Sequence, residues 1–379
     1  MTAPRARNTF GDAEVDRLLS EVLGSVGADA NDDLVRRLLV TALYMDADDV
    51  DRLELKIASQ ALVEMHNAWR VFSPYRDRTK VTVFGSARTA TDHPAYRLAH
   101  EFASRIAERG WMIISGAGPG IMTAAVEGAG VHNSLGVNIV LPAEQKATPL
   151  LDGDPKLATF RYFFTRKLFF MKESDAFVLL PGGFGTLDET FELLTLVQTG
   201  KSYPTPIVLL DPPGSCYWQT WLDFVEQGLH ADGLISEADL GLYLHTHDVD
   251  EAAHYICHFY STFHSIRFVG QRLVLRLARP LEAGHLDTLT DEFSDIIVSG
   301  SIESIEATEA EQRDDDCVDL PRVAFRFNGQ SFARLHAMIR RINDLGLASM
   351  PASEQVALPP VQHPLHDLEP EPDKTPAGG

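Results

Sequence analysis

The sequence predicts an α/β protein built on a Rossmann-like, doubly wound parallel sheet. Between residues 79 and 265, short apolar runs alternate with amphipathic helical stretches, and repeated strand-then-helix units of this kind form parallel sheets. Glycine-rich turns follow several of the apolar runs. The carboxyl ends of parallel strands lie at one edge of the sheet, where ligands bind in such folds. We therefore expect the glycine turns to line one pocket.

The elements of this region follow from its hydrophobic pattern. The predicted strands cover residues 81–84, 111–115, 137–141, 176–180 and 206–210. The predicted helices cover residues 94–109, 121–129, 161–174, the stretch that ends near 199, and 218–228. The segment between 141 and 161 is rich in turn-forming residues and is predicted as a loop.

The 379 residues divide into four predicted regions. Residues 1–78 carry apolar residues at helical spacing and are predicted as a helical N-terminal extension. Residues 79–265 are predicted to form the Rossmann-like domain. Residues 266–348 follow the order strand, helix, strand, strand, helix, which predicts a small α+β module of ferredoxin-like order. Residues 349–379 are rich in prolines and acids and are predicted to be disordered.

Charge and cysteine content limit the class of partner and the compartment. The chain has 33 Lys and Arg against 54 Asp and Glu, a formal charge of −21, which repels nucleic acids and anionic membranes. Neither is expected as a partner, although a local basic pocket can still bind a small anion.

Residues 1–8 lack the apolar core of a signal peptide, and no apolar run reaches the ~18 residues of a membrane span. Cys216, Cys257 and Cys317 show no CxxC spacing, so we expect a soluble protein in the reducing cytoplasm.

The most informative segment is the run PGGFGTLDE at residues 181–189. Gly182, Gly183 and Gly185 allow a ligand to approach the backbone closely, and the N–H groups at the start of a helix bind anions. Thr186 can cap the helix and offer a hydroxyl to the same anion. The turn therefore predicts a phosphate site.

Glu189 has two interpretations from the residues alone. Thr186 and Glu189 have the spacing of a capping box, in which the glutamate folds back onto the first N–H of the helix. Alternatively, a carboxylate beside an anion site can perform chemistry on a phosphorylated small molecule. The neighbouring Asp188 points about 100° away around the helix and is expected to interact with the helix dipole.

Arg166 and Lys167 are two adjacent cations in a helix otherwise rich in aromatic residues. They can extend along apolar surface to reach water, or they can contact an anion or a leaving group above the glycine turn. Arginine suits hydrogen bonding better than proton transfer, because it stays charged at any ordinary pH.

Two further glycine turns are weaker signals. Gly116, Gly118 and Gly120 lack the GxGxxG spacing of a dinucleotide site, and Gly85-Ser86 is not a Walker A loop. We expect these turns either to form a second wall of the pocket or to be ordinary turns.

No cofactor and no metal are predicted. His254 and His258 lie four residues apart with Cys257 between them, but no further pair of zinc ligands lies nearby. These residues are assigned to packing and surface. No Ser-His-Asp order or G-x-S-x-G motif indicates a serine hydrolase.

Together the motifs resemble the Lonely guy (LOG) family, whose members were long labelled lysine decarboxylases. The resemblance covers roughly residues 80–250. It is carried by Gly116–Met122, Glu127–Ala129, Leu141–Gln145, Arg166-Lys167, Ser174–Phe177, Pro181–Glu189 and Thr195–Lys201. The N-terminal helices and the C-terminal module lie outside the pattern of short members, so the chain looks like a longer variety.

The resemblance implies hydrolysis of the N-glycosidic bond of nucleoside 5′-monophosphates, either AMP or cytokinin riboside 5′-monophosphates, to free base and ribose 5-phosphate. It implies catalytic roles for Arg166 and Glu189. With the glycine turns added, the predicted substrate-binding residues are Gly85, Ser86, Gly116, Gly118, Glu144, Lys167, Gly182, Gly183, Phe184, Gly185, Thr186 and Thr195. Phe184 stands where short members carry tyrosine, and its ring is expected to serve mainly in packing.

This chemistry agrees with the residues. Glycosidic cleavage passes through an oxocarbenium-like sugar. Glu189 can stabilise this cation, or it can activate the water that attacks it. Arg166 can donate hydrogen bonds to the departing base, while the glycine turn holds the 5′-phosphate.

The alternative function is that of a non-catalytic nucleotide sensor. Lysine decarboxylation is disfavoured, because the sequence lacks a recognisable pyridoxal-phosphate lysine context. A homodimer or larger assembly is expected, because the aromatic helix at 160–171 and the N-terminal helices offer surplus apolar surface.

Overall fold

The computed structural model describes residues 8–27, 31–141 and 148–348. The predicted disordered tail, residues 349–379, lies outside the described residues. The chain divides into two compact units after His66, a position inside the third helix. The boundary at residue 78 and the other domain limits stay predictions.

The N-terminal unit is helical, as predicted. Its helices are α1 (Ala13–Val26), α2 (Asp32–Ala47) and the first part of α3 (Arg52–Phe72). The Asp12 carboxylate starts α1 by accepting hydrogen bonds from the N–H groups of Glu14 and Val15, at 2.9 and 3.1 Å. Arg36 links α2 to α1 through an ion pair of 3.1 Å with Asp16.

The second unit contains a seven-stranded, fully parallel sheet, which confirms the predicted fold class. Its strands are β1 (Lys80–Phe84), β2 (Met112–Ser115), β3 (Ser134–Ile139), β4 (Leu157–Phe160), β5 (Ala176–Leu179), β6 (Ile207–Leu210) and β7 (Tyr243–Thr246). Their order is β4-β3-β2-β1-β5-β6-β7. The chain order reverses between β1 and β5, and such a switch point is where doubly wound sheets bind ligands.

Helices cover this sheet. They are α4 (Pro94–Ala107), α5 (Ile121–Ala129), α6 (Phe163–Glu173), α7 (Phe184–Gln198), α8 (Tyr217–Phe224) and α9 (Val249–Phe259). The central strands are fully buried, as their continuous apolar runs predict.

Sequence patterns missed β4 and β7, which form the two edges of the sheet. Each leaves part of its surface uncovered. A partly covered edge strand carries polar residues and lacks the continuous apolar run of a central strand. The prediction of a loop from 141 to 161 is therefore wrong at Leu157–Phe160.

The C-terminal module is α+β, as predicted, but its order is not ferredoxin-like. It contains β8 (Phe263–Val269), β9 (Arg272–Leu277), α10 (Ala283–Glu292), β10 (Glu303–Ile305), α11 (Glu309–Arg313), β11 (Arg322–Phe325) and α12 (Phe332–Ala348). The strands form an antiparallel sheet in the order β10-β11-β9-β8. The predicted strands and helices are all present, but β8 precedes them and the short α11 lies between β10 and β11, so the ferredoxin-like order is wrong.

Helix α12 anchors this module to the parallel sheet. The amide oxygen of Asn343 accepts hydrogen bonds from the N–H groups of Thr262 and Phe263, both at 2.8 Å. Nε2 of His336 donates to the Thr205 carbonyl at 3.1 Å. Burial lowers the pKa of His336 to about 3, so this imidazole is neutral. Both sheets contribute to one hydrophobic core.

Candidate active site

The candidate site lies at the switch point of the parallel sheet. The turn after β1, Gly85-Ser86, meets the turn after β5 because the N–H of Ser86 donates to the Pro181 carbonyl at 3.2 Å. The Ser86 carbonyl accepts from the N–H of Ile121, the first residue of α5, at 3.1 Å. Gly120 has a φ of 67° and lies so close to Ser86 that a Cβ would be 2.4 Å from its carbonyl oxygen. Three glycine turns therefore converge at one edge.

The glycine turn after β5 leaves the start of α7 open. The helix begins at Phe184, and Gly183 caps it without any side-chain hydrogen bond. Uncapped N–H groups at a helix N-terminus favour an anion. A Cβ on Gly182 would lie 2.1 Å from the Thr186 hydroxyl, whereas a Cβ on Gly183 would meet no atom within 4 Å. Gly182 is thus needed for packing, and Gly183 borders open space.

The capping-box interpretation of Glu189 is wrong. Because α7 begins at Phe184, Thr186 is the third residue of the helix and Glu189 lies in its second turn. A capping box requires the hydroxyl residue to precede the helix, with the glutamate three residues later. The Thr186 side chain is buried, and its carbonyl accepts from the Thr190 hydroxyl at 2.6 Å.

Arg166 is buried beneath these turns, with 9% of its surface exposed, so it does not extend to the solvent. Its Nε donates to the Val137 carbonyl at 2.9 Å and its Nη2 to the Gly116 carbonyl at 3.4 Å. The guanidinium also lies 5.1 Å from the centre of the Phe170 ring. A Cβ on Gly116 would come within 2.6 Å of Nη2, so Gly116 leaves the space that the guanidinium fills.

Glu189 faces this cation. The side chain is 9% exposed, and burial raises its pKa to about 7, although the charge of Arg166 acts in the opposite direction. Burial likewise lowers the pKa of Arg166, which the charge of Glu189 opposes. Among the described ion pairs none joins the two side chains directly, so both retain hydrogen-bonding capacity. A carboxyl group that titrates near neutral pH is suited to acid–base chemistry.

Lys167 and Asp188 are engaged with each other. Nζ of Lys167 lies 2.7 Å from Asp188 and 2.7 Å from Glu192, which holds α6 against α7. Asp188 thus pairs with a lysine on the neighbouring helix. The Thr195 hydroxyl donates to the Phe191 carbonyl of its own helix at 2.7 Å. The structure therefore does not bring Thr195 into the group formed by Arg166 and Glu189. Lys167 lies close enough for its charge to oppose, like that of Arg166, the rise that burial causes in the pKa of Glu189.

Three further predicted site residues have different outcomes. The ring of Phe184 is 94% exposed, so it packs little against this chain itself, and its expected packing role stays a prediction. Gly118 lies beside Met122, whose methyl group would be 2.7 Å from a Cβ there. Glu144 lies outside the described residues.

Sequence reasoning missed the residues that hold the glycine turn from behind. The Tyr217 hydroxyl donates to the Gly182 carbonyl at 2.8 Å, and the indole N–H of Trp218 donates to the Leu179 carbonyl at 2.9 Å. The buried Asp211 fixes the start of α8 by accepting from the N–H of Trp218 at 2.9 Å. Asp211 directly follows β6, at the same edge of the sheet as the glycine turns. This position after a predicted strand could have identified Asp211 from the sequence.

The described ranges contain neither a candidate metal cluster nor a candidate membrane helix. No group of three or more His, Cys, Asp or Glu residues there could hold a metal ion. His254 and His258 stack with ring centres 5.6 Å apart. Among the helices of the described residues, none combines the length and the apolar content needed to cross a bilayer.

Comparisons with known proteins agree with this arrangement. Residues 120–256 match the family model described as "Possible lysine decarboxylase". The cytokinin riboside 5′-monophosphate phosphoribohydrolase of Mycobacterium tuberculosis is 35% identical over 129 residues, which are 34% of this chain and 68% of that protein. A probable enzyme of the same name from Oryza sativa subsp. japonica is 34% identical over 144 residues, which are 36% of this chain and 55% of the relative.

The chain thus spans between about half and two thirds of the length of these curated relatives. Among solved structures, the molybdenum cofactor carrier protein of Chlamydomonas reinhardtii is 22% identical, with a TM-score of 0.31 over 46% of this chain and 93% of that one. The family model covers Arg166 and the glycine turn at 181–189, and the match to the Mycobacterium tuberculosis relative shows that the chain belongs to the LOG family.

Proposed function

We propose that this protein hydrolyses the N-glycosidic bond of nucleoside 5′-monophosphates. Water adds to C1′ of the ribose as the bond from C1′ to the base nitrogen breaks. One proton of the water ends on the departing base, so the products are a free base and ribose 5-phosphate. The substrates proposed are cytokinin riboside 5′-monophosphates, which the names of the relatives suggest, and AMP, which shares their ribose 5′-phosphate.

The observation that carries the proposal is the buried Glu189 beside Arg166 next to an uncapped helix start. Phosphate binding alone does not need a buried carboxylate with a pKa of about 7, because desolvating such a group costs stability. The cost is understandable if the carboxylate acts on the substrate. This favours an enzyme over a non-catalytic nucleotide sensor.

Each group has a defined task in this mechanism. The N–H groups of Gly183 and the first turn of α7 bind the 5′-phosphate, which positions the ribose. The ionised Glu189 stabilises the oxocarbenium-like transition state or removes a proton from the attacking water. Arg166, already fixed by two backbone carbonyls, donates a hydrogen bond to the leaving base.

The test is to incubate the pure protein with AMP and with an isopentenyladenosine 5′-monophosphate, and to measure free base and ribose 5-phosphate. Glu189→Gln is the matched control, because it keeps the side-chain shape and removes the charge. Equal release by both proteins, or binding of either nucleotide without release, contradicts the proposal. A panel of nucleotides with other bases then ranks the preferred base.

We also propose a homodimer or larger assembly. Phe163, Phe164 and Leu168 on α6 are 53%, 57% and 44% exposed, and the Phe184 ring is almost fully exposed. Exposed apolar groups in this number favour contact with another protein surface. Light scattering at micromolar concentration should give at least twice the mass of 41.9 kDa, and Phe164→Asp should lower it; a monomeric wild type contradicts the proposal.

A cytoplasmic location is proposed on the state of the cysteines. Cys216, Cys257 and Cys317 are all free thiols, which suits a reducing compartment. Cell fractionation that finds the protein outside the cytoplasm contradicts this.

A further inference from the structure

A cavity of about 430 Å³ lies in the C-terminal part of the molecule, among α9, α10 and α12. It shares no residue with the candidate active site. The volume is within the range of small-molecule sites, roughly 300–1,000 Å³. Its apolar wall is formed by Phe259, Phe293 and Ala337, and its polar wall by Tyr255, His258, Glu292, Arg340, Arg341 and Asp344.

The two carboxylates of this cavity already have hydrogen-bond partners among its side chains. Arg341 forms two parallel hydrogen bonds with Glu292, both of 2.9 Å. Asp344 accepts from Nε2 of His258 at 2.8 Å. Arg340 is therefore the charged residue of the cavity that has no partner of opposite charge among the described ion pairs.

The same cavity contains buried polar atoms that lack partners. Nε of Arg340 and Nδ1 of His258 are buried and make no hydrogen bond with the described residues. Buried polar groups are normally satisfied, and an exception needs an explanation such as a bound molecule. The guanidinium of Arg340 also lies close to Tyr255: burial raises the pKa of this phenol, while the Arg340 charge lowers it.

We propose that this cavity binds a small organic anion whose carboxylate or phosphate group accepts hydrogen bonds from Arg340. Arginine suits both groups, because its planar fork donates to two oxygens at once. The organic part of the ligand lies against Phe259 and Phe293. The inference does not depend on the proposed hydrolysis, because it uses none of the residues assigned to that reaction.

Calorimetric titration tests the proposal, with inorganic phosphate in one arm and citrate in the other. Arg340→Gln, which removes the charge and keeps much of the length, should weaken binding about tenfold or more, as for the loss of a charged hydrogen bond. The matched control is Arg326→Gln, an exposed arginine of the same module that bonds to Gln271 and does not line the cavity. Binding in one arm only identifies the anion as a phosphate or a carboxylate.

Phosphate can also bind at the glycine turn, so the position of the anion must be measured. Crystals soaked in tungstate, a tetrahedral oxyanion with a strong anomalous signal, should show a peak beside the Arg340 guanidinium. The peak should be absent in Arg340→Gln, while any peak beside Gly183 remains. If Arg340→Gln does not fold, Arg340→Lys should bind with reduced affinity and retain the peak. No peak in wild type, or equal binding by Arg340→Gln and Arg326→Gln, overturns the proposal.

Discussion

This molecule contains two buried arginine–glutamate groups, which differ in whether the glutamate forms direct ion pairs. In the C-terminal module, Glu311 is fully buried and forms ion pairs with Arg276 at 2.8 Å and Arg322 at 2.7 Å. It also accepts hydrogen bonds from the N–H and hydroxyl of Thr308, at 2.9 and 2.8 Å. At the candidate active site, Glu189 interacts with Arg166 through charge, without such a direct pair.

The two carboxyl groups differ accordingly in pKa. Burial tends to raise the pKa of both, but at Glu311 the hydrogen bonds from Thr308 and Arg276 outweigh burial and lower it. At Glu189 burial prevails and the pKa is about 7. A fully satisfied group stabilises the fold, whereas an incompletely satisfied one keeps its capacity for a ligand.

The largest expected difference between the Glu189 and Glu311 groups is in turnover, which only a substitution of Glu189 should lower strongly. Glu189→Gln should lower AMP cleavage by about 10²–10⁴-fold, the usual contribution of a general acid or base. The protein should remain folded, because the carboxylate has no direct ion pair to lose. Steady-state kinetics and circular dichroism check this. A variant with more than a tenth of wild-type turnover breaks the comparison.

The converse substitution should affect stability. Glu311→Ala leaves Arg276 and Arg322 buried beside a missing partner, and breaking a buried pair in this way costs about 3–5 kcal/mol. Urea unfolding followed by fluorescence should show a much lower midpoint for this variant. Glu303→Ala is the control, because its pair with Arg272 is exposed and surface pairs contribute little. Equal midpoints for the two variants contradict the structural role of Glu311.

The pKa of Glu189 predicts how stability depends on pH. Between pH 4.5 and 7 the folded protein keeps a proton at Glu189 that the unfolded chain has lost, so this group lowers stability as the pH rises. Glu189→Gln removes that loss and should be more stable than wild type at pH 8, by at most about 3 kcal/mol. The difference should disappear near pH 4. Glu311 has the opposite sign, because its lowered pKa stabilises the fold above pH 4.5. A less stable Glu189→Gln at pH 8 refutes the assignment.

Adjacent glycines offer a smaller and sharper contrast within the candidate site. Gly182→Ala brings a methyl group against Thr186 and should lower stability by about 1–3 kcal/mol. Gly183→Ala meets no atom at a φ of −92° that alanine adopts freely, so the fold should be unchanged. If the 5′-phosphate binds at Gly183, the KM of the Gly183→Ala variant for AMP should rise about tenfold. An unchanged KM places the phosphate elsewhere.

The smallest effect concerns the support of the turn. Tyr217→Phe removes the hydrogen bond to the Gly182 carbonyl, which is worth about 1 kcal/mol. We expect KM to rise about fivefold and kcat to change little, because the turn would hold the phosphate less firmly. Tyr96→Phe, whose hydroxyl bonds to Glu127 instead, is the control. The same KM in both variants removes Tyr217 from a positioning role.

Much of the fold and the chemical character of the site were predictable from the sequence. The central strands and the helices around them carry continuous apolar runs or helical spacing, because both of their faces or one whole stripe must be buried. The three-glycine turn predicted an anion site, and the family resemblance assigned catalytic roles to Arg166 and Glu189; these roles stay predictions. The edge strands β4 and β7 and the hairpin strand β8 were missed, because partly covered strands mix polar with apolar residues and have no distinctive pattern.

Only the tertiary structure decided which interpretation of each residue holds. Thr186 and Glu189 have the spacing of a capping box, and a local pattern cannot state that the helix begins two residues before Thr186. Lys167 pairs across helices with Asp188, whereas its neighbour Arg166 points inward to carbonyls of β3 and the turn after β2. Sequence fixes residue types and their local spacing. Burial, charge partners and pKa depend on segments that are distant in the chain and meet only in the folded molecule.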